Sequence, residues 1–165
     1  MSNSPMERYL ATLEDEHART VRVLRAFPDD QLDMVPAANA KTPRDLAWLL
    51  VRENGMLKTA VTTGFDWSKP FPKAPEPPRT MREIADALEA GHREYVEALR
   101  RNPSLPATVS FFTGPKQLGD IPLWDFLWFM LHDQIHHRGQ FSVYLRLAGA
   151  KVPSIYGPSA DEPWT

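Results

Sequence analysis

The chain of 165 residues contains no cysteine, which excludes disulfides, thiolate metal ligands and a cysteine nucleophile together. Any bound metal must be held by nitrogen and oxygen donors. An excess of one charge is also missing: 19 Lys and Arg stand against 21 Asp and Glu, for a formal net charge of -2. With no block of like charge, neither nucleic acid nor a membrane surface is expected as a partner. No apolar run approaches the roughly 18 residues of a spanning helix, and Met1-Ser2-Asn3-Ser4-Pro5 lacks the basic region and apolar core of a secretory leader. A cytoplasmic protein is the expectation. Internal repeats and low-complexity tails are absent too. What the chain has in quantity is proline, 16 residues, and a hydrophobic content of 42%. That content suffices for one continuous core, so a single domain over residues 1–165 is expected.

Four segments carry helical periodicity. Ser4-Pro5 reads as a cap with proline in the first turn, and Met6, Tyr9, Leu10, Leu13, His17, Val21 and Leu24 follow at steps of three and four, predicting helix 1 over about residues 5–26. Thr42-Pro43 opens helix 2, whose stripe is Leu46, Leu49, Leu50, Glu53, Leu57 and Val61, and Gly64 ends it. Thr80 followed by Glu83 is a capping-box pattern for helix 3, with Ile84, Leu88, Tyr95 and Leu99 inward. Helix 4 is expected from about Pro122 to Ala148, with Gly149 as its left-handed cap. Five prolines between Gly64 and Arg79 (Pro70, Pro72, Pro75, Pro77, Pro78) exclude that connection from either neighbouring helix. Ala107 to Phe112 has β character, and Thr113-Gly114-Pro115 can turn it into a short hairpin. The fold class is therefore all-α, a four-helix bundle with long proline-rich connections and room for a hairpin before helix 4; ligands of such bundles sit between facing helices.

Helix 4 carries the densest chemistry, His132-Asp133-Gln134-Ile135-His136-His137-Arg138-Gly139-Gln140. His132 and His136 are four residues apart, so a helix stacks them one turn apart on one face, where both imidazoles can reach one ion. Zinc, nickel, copper and iron(II) all accept neutral imidazole. Trp128 and Phe129 before the pair and Gly139 and Val143 after it suggest that this face points inward. His137, about 100° further round, reads as supporting or interfacial. Arg138 and Gln140 read as ties to neighbouring backbone, and Trp48, Trp124 and Trp128 as core.

The run from His132 through His136-His137-Arg138-Gly139-Gln140 to Arg146 and Gly149, followed by Val152-Pro153 and Tyr156-Gly157-Pro158, resembles the DinB family of metal-binding four-helix bundles. Leu24 to Pro28 and Thr42 to Trp48 resemble the family's helix 1 end and helix 2 start, so the likeness spans nearly the whole chain. The resemblance implies a divalent metal, most often zinc or nickel, on three histidines, one from helix 2 and a pair from helix 4 matched by His132 and His136. It also implies a homodimer, and chemistry in which the metal lowers the pKa of a low-molecular-weight thiol and offers the thiolate to an electrophile, which needs no protein cysteine. The helix 2 position departs from the pattern, because Leu49 stands where histidine is expected.

Glu53, one turn after Leu49 on the same face, is the candidate third ligand, a carboxylate being an acceptable donor for zinc or iron. His17, in the helix 1 stripe, and Asp125, two turns before His132, are the alternatives; Asp125 also suits a helix N-terminus as a simple macrodipole partner. Glu53 or Asp125 would accept the thiol proton, while no catalytic residue is assigned. His132-Asp133-Gln134-Ile135-His136 also looks like a zincin HExxH motif with aspartate for glutamate, but no third ligand follows at a zincin-like distance. The contrasting expectation is a bundle that has lost its helix 2 ligand and serves as a non-catalytic small-molecule-binding or interaction module.

Overall fold

The computed structural model describes residues 4–70, 73 and 75–165; Met1-Ser2-Asn3 and, in the proline-rich connection, Pro72 lie outside the described residues. The helices are α1 (Pro5–Arg25), α2 (Pro43–Thr62), α3 (Met81–Arg101) and α4 (Leu123–Leu147). A 3-10 turn at Asp29–Gln31 follows α1, and an antiparallel hairpin of β1 (Thr108–Gly114) and β2 (Gln117–Pro122) precedes α4. The expected four-helix bundle with a hairpin before its last helix is what the chain forms. Among the described residues no helix is long and apolar enough to cross a membrane.

Local chemistry explains the boundaries. Ser4 and Glu7 form a reciprocal capping box at α1, as Thr80 and Glu83 do at α3, and Thr42 accepts from the Asp45 amide at 3.1 Å to start α2. Each satisfies amides that the first helical turn leaves without partners. Gly64 and Gly149 take positive φ, 83° and 68°, just beyond α2 and α4, where a side chain would be strained. α4 has no side-chain cap; instead the Leu123 amide donates to the Ala107 carbonyl at 3.0 Å, so the hairpin delivers the chain into the helix. Trp48 is only partly buried, and its Nε1 donates to the Pro75 carbonyl at 2.9 Å, anchoring the proline-rich connection to α2.

The bundle interior is split. One apolar cluster gathers Tyr9, Leu57, Tyr95 and Phe126 at the hairpin end, with Trp124 and Trp128 packed edge-on against Tyr9. The other gathers Leu24, Leu50, Ile84 and Phe141 at the opposite end. Between them every helix contributes buried polar groups: Glu16 and Thr20 from α1, Glu53 and Asn54 from α2, His92 from α3, Arg138 from α4. Such a band is tolerable only where its members find partners. Arg138 does: its Nη2 lies 2.6 Å from Glu16 Oε2 and its Nη1 donates to the Glu16 carbonyl at 3.1 Å. Tyr156 of the C-terminal tail donates to the same Glu16 carboxylate at 2.8 Å, strapping residues beyond α4 across α1.

Removing one partner of a buried ion pair leaves the other charged and desolvated, which costs roughly 3–5 kcal/mol. Arg138→Ala should therefore lower the urea midpoint by that equivalent, and pairing it with Glu16→Gln should recover part of the loss. A single-variant loss below about 1 kcal/mol, the size of an exposed pair, would show that the band is not held by this contact.

Candidate functional site: a carboxylate and imidazole cluster in the polar band

Glu53 projects from the middle of α2 and is only 2% exposed. Its Oε2 has no hydrogen-bond partner, the sole buried side-chain polar atom among the described residues in that condition. An unsatisfied buried polar atom typically costs about 1–3 kcal/mol, so its retention calls for a partner chemistry. Facing it from α4 are Asp133 and His137, half-buried, and one ligand atom from each of the three residues lies within 4.8 Å of the others. Asp133 and His137 are themselves at i and i+4, with Asp133 Oδ2 3.5 Å from His137 Nε2.

The electrostatics follow from burial and proximity. Burial, aided by the Asp133 charge, pushes the Glu53 carboxyl up to about 8. The His137 imidazole is raised, chiefly by its hydrogen bond to Asp133, and that bond in turn holds Asp133 below the ordinary carboxylate range. His137 Nδ1 meets Gln140 Oε1 at 3.1 Å, a contact that orients the ring with Nε2 toward the two carboxylates. Beside the cluster, Gln134 Nε2 donates to Asn54 Oδ1 at 3.4 Å and Asn54 Nδ2 donates to the Leu88 carbonyl at 3.2 Å, tying α4, α2 and α3 together. Gly91 permits that approach: a Cβ there would stand 3.3 Å from Asn54 Cβ. Two carboxylates and one imidazole from two helices make a compact N/O donor set suited to a divalent cation.

Of the residues singled out in the sequence, Glu53 lies in this cluster. His132 and His136 do not face it: both are exposed, and the expectation that their face points inward is corrected. The misleading signal was apolar flanking, since Phe129 and Val143 are themselves 50% and 59% exposed. α4 is apolar on nearly every side, so polarity alone cannot set its phase. The buried steps Leu123, Phe126, Met130, Phe141 and Tyr144 do set it, and they pass through 133, 134 and 137. Asp133 and His137 were therefore accessible to a stricter reading of the same spacing. His137, read as supporting, is a direct member of the cluster, and Gln140 holds its ring rather than tying backbone.

His17 sits elsewhere, stacked flat on His92 with ring centroids 3.7 Å apart, while His92 Nε2 meets Glu14 Oε2 at 2.9 Å. Burial pushes the His17 imidazole down to about 3. Asp125 is exposed in the first turn of α4, where the macrodipole favours it. Leu49 is half-buried, one turn before Glu53.

Comparison with known proteins agrees with this architecture. The sequence model of the DinB family matches residues 1–164. An uncharacterized protein, YrdA of Bacillus subtilis (strain 168), is 28% identical over 161 residues, covering 95% of this chain and 91% of its own length. The crystal structure of a DinB-like protein from Bacillus cereus ATCC 10987 superposes with a TM-score of 0.68 at 27% identity, over 90% of this chain and 95% of that one. A DinB-like protein from Bacillus subtilis, YjoA, gives the same TM-score at 16% identity, over 88% and 96% of the two chains, a likeness of fold alone.

A carboxyl raised above its ordinary value of 4.5 keeps a proton in the folded chain that the unfolded chain has released. Between that value and about 8, folded-state stability therefore falls as pH rises. In chelator-treated protein, Glu53→Gln should remove this slope, so the variant gains on wild type steadily from pH 5 to pH 8 in urea titrations. Parallel wild-type and variant profiles over that range would contradict the assignment of Glu53.

Proposed function

The chain belongs to the DinB family, and on that premise we propose that it is a divalent-metal-binding bundle whose cation is held by Glu53, Asp133 and His137. The observation that carries the reading is the partnerless Glu53 Oε2, facing an ionised carboxylate and an imidazole. A cation there would give the unsatisfied oxygen a partner and displace the proton that burial and the Asp133 charge force onto Glu53. The set is richer in oxygen than the three histidines implied by the resemblance. Zinc accepts such a mixture, as do manganese and iron(II), whereas nickel is better served by additional imidazole. Leu49 offers no donor, and Glu53, one turn along α2, supplies the helix 2 contribution in its place.

The reaction class we attach to this site is thiol transfer with a low-molecular-weight thiol as co-substrate. When bound, the cation supplies positive charge that lowers the pKa of a thiol brought to it. The chain's own residues do the positioning: Glu53 and Asp133 would neutralise the ion from two helices, Gln140 orients the His137 ring, and the Asn54–Gln134 contact ties α2 to α4. The absence of cysteine is compatible with this, because the reacting sulfur belongs to the small molecule.

A second reading, a non-catalytic small-molecule-binding bundle, draws support from a cavity of about 530 Å³ between α2 and the connection that follows it, walled by Met56, Phe65 and Pro70 with Arg52 and Lys69. That cavity is not bordered by the cluster residues.

Untagged protein titrated calorimetrically with zinc below pH 8 should bind one equivalent and release a proton, seen as a dependence of the heat on buffer ionisation. Glu53→Gln should reduce the proton release and weaken binding by about 10-fold or more, and His137→Ala should do the same to affinity. Unchanged affinity in both variants would overturn the site. For activity, zinc-loaded protein should accelerate conjugation of a small thiol with a haloarene or epoxide, and His137→Ala should lose that rate. Equal rates across a panel of thiols would leave the binding-bundle reading in its place.

A further inference from the structure

The even balance of charge along the chain hides a local excess that only the fold creates. Arg52 of α2 and Lys69 and Lys73 of the connection that follows it meet around one cavity, of about 530 Å³, in a chain whose formal net charge is -2. All three are exposed, which places them at the cavity's rim, while Phe65 is buried and Met56 half-buried in its apolar wall. The carboxylate that also lines the cavity, Asp66, is committed elsewhere: its Oδ1 accepts from the Ser68 amide at 3.0 Å and the Ser68 hydroxyl at 2.6 Å, and its Oδ2 lies 3.5 Å from Lys69 Nζ. Arg52 and Lys73 pair with no carboxylate among the described residues. Gly55, inside α2, lines the same cavity. A Cβ there would meet nothing within 4 Å, so packing does not call for glycine, which weakens a helix more than any residue except proline. Its effect is to leave the cavity open.

We propose that this cavity binds a small amphipathic acid, a molecule with an apolar body and one carboxylate or phosphate head. The proposal rests on the small-molecule reading of the cavity and not on the metal cluster. The volume falls within the range of about 300–1,000 Å³ usual for ligand sites. The body packs against Met56 and Phe65, a flexible thioether and an aromatic ring that adapt to varied apolar shapes. The head is taken by Arg52, whose planar fork matches either oxyanion, with Lys69 and Lys73 adding positive charge at the rim. A neutral molecule of the same shape gains only the apolar contact, and a cationic one is repelled.

Calorimetric titration of the untagged full chain with octanoate, octyl phosphate and 1-octanol tests this. At least one of the acids should bind with one equivalent and about 10-fold more tightly than the alcohol, a preference that shrinks as salt is raised. The tighter of the two acids identifies the head group. Arg52→Glu should remove the preference and leave the affinity for octanol unchanged. Gly55→Leu, whose side chain enters the cavity, should abolish binding of all three while its urea midpoint stays at or above that of wild type, because leucine favours the helix. Equal affinities for acids and alcohol, or a preference that survives Arg52→Glu, would overturn the acidic ligand class and leave the cavity as a site for neutral molecules. Binding of none of the three, or octanoate binding that survives Gly55→Leu, would overturn the site itself and the small-molecule reading of the cavity with it.

Discussion

A buried carboxyl group with one oxygen left without a hydrogen-bond partner, held in the middle of four packed helices, is the constraint around which the rest of this molecule is arranged. Glu53 is desolvated by α2's own position in the bundle, and nothing on the described residues hydrogen-bonds its Oε2. The low local dielectric that makes an unmatched group costly also makes a matched one strong. The two apolar clusters stand on either side of it and supply the burial that offsets the polar band between them. In that sense the cores hold a desolvated polar site in place, and the site is where the bundle departs from the simplest way to fill its interior.

The band is asymmetric in how it is satisfied. On the side of α1, Arg138, Glu16 and Tyr156 form a closed set, with both the Arg19 and the Arg138 guanidinium about 5 Å from the Tyr156 ring. Toward α2, Glu53, Asp133 and His137 are only partly matched. Arg138 and His137 are consecutive residues, so one turn of α4 carries both a structural clasp and a chemical cluster. The clasp sets the rotation of α4 about its axis, and that rotation decides which side chains meet Glu53. A C-terminal tail reaching back to α1 thus bears on the geometry of a site it does not touch.

Much of the fold was legible in the sequence because its signals are local. Ser4-Pro5, Thr42-Pro43 and Thr80 with Glu83 mark helix starts through hydrogen bonds made within one turn, and Gly64 and Gly149 mark ends through backbone conformation. Glu53 was legible as a stripe residue of α2. The partners on α4 were displaced by one position, because an i, i+4 argument fixes spacing but not rotation. A helix apolar on its outer face as well as its inner one hides its phase until several buried positions are counted together. The stacking of His17 on His92 had no local signal at all, since it joins α1 to α3 through packing alone.

The central claim is that Glu53, Asp133 and His137 hold a cation, and anomalous diffraction from a crystal soaked in zinc reads it directly. The account predicts a peak inside the polar band within about 2.0 to 2.2 Å of a carboxylate oxygen of Glu53, a carboxylate oxygen of Asp133 and Nε2 of His137. A crystal with zinc only on surface groups, and with Glu53 Oε2 still lacking a partner, would contradict it.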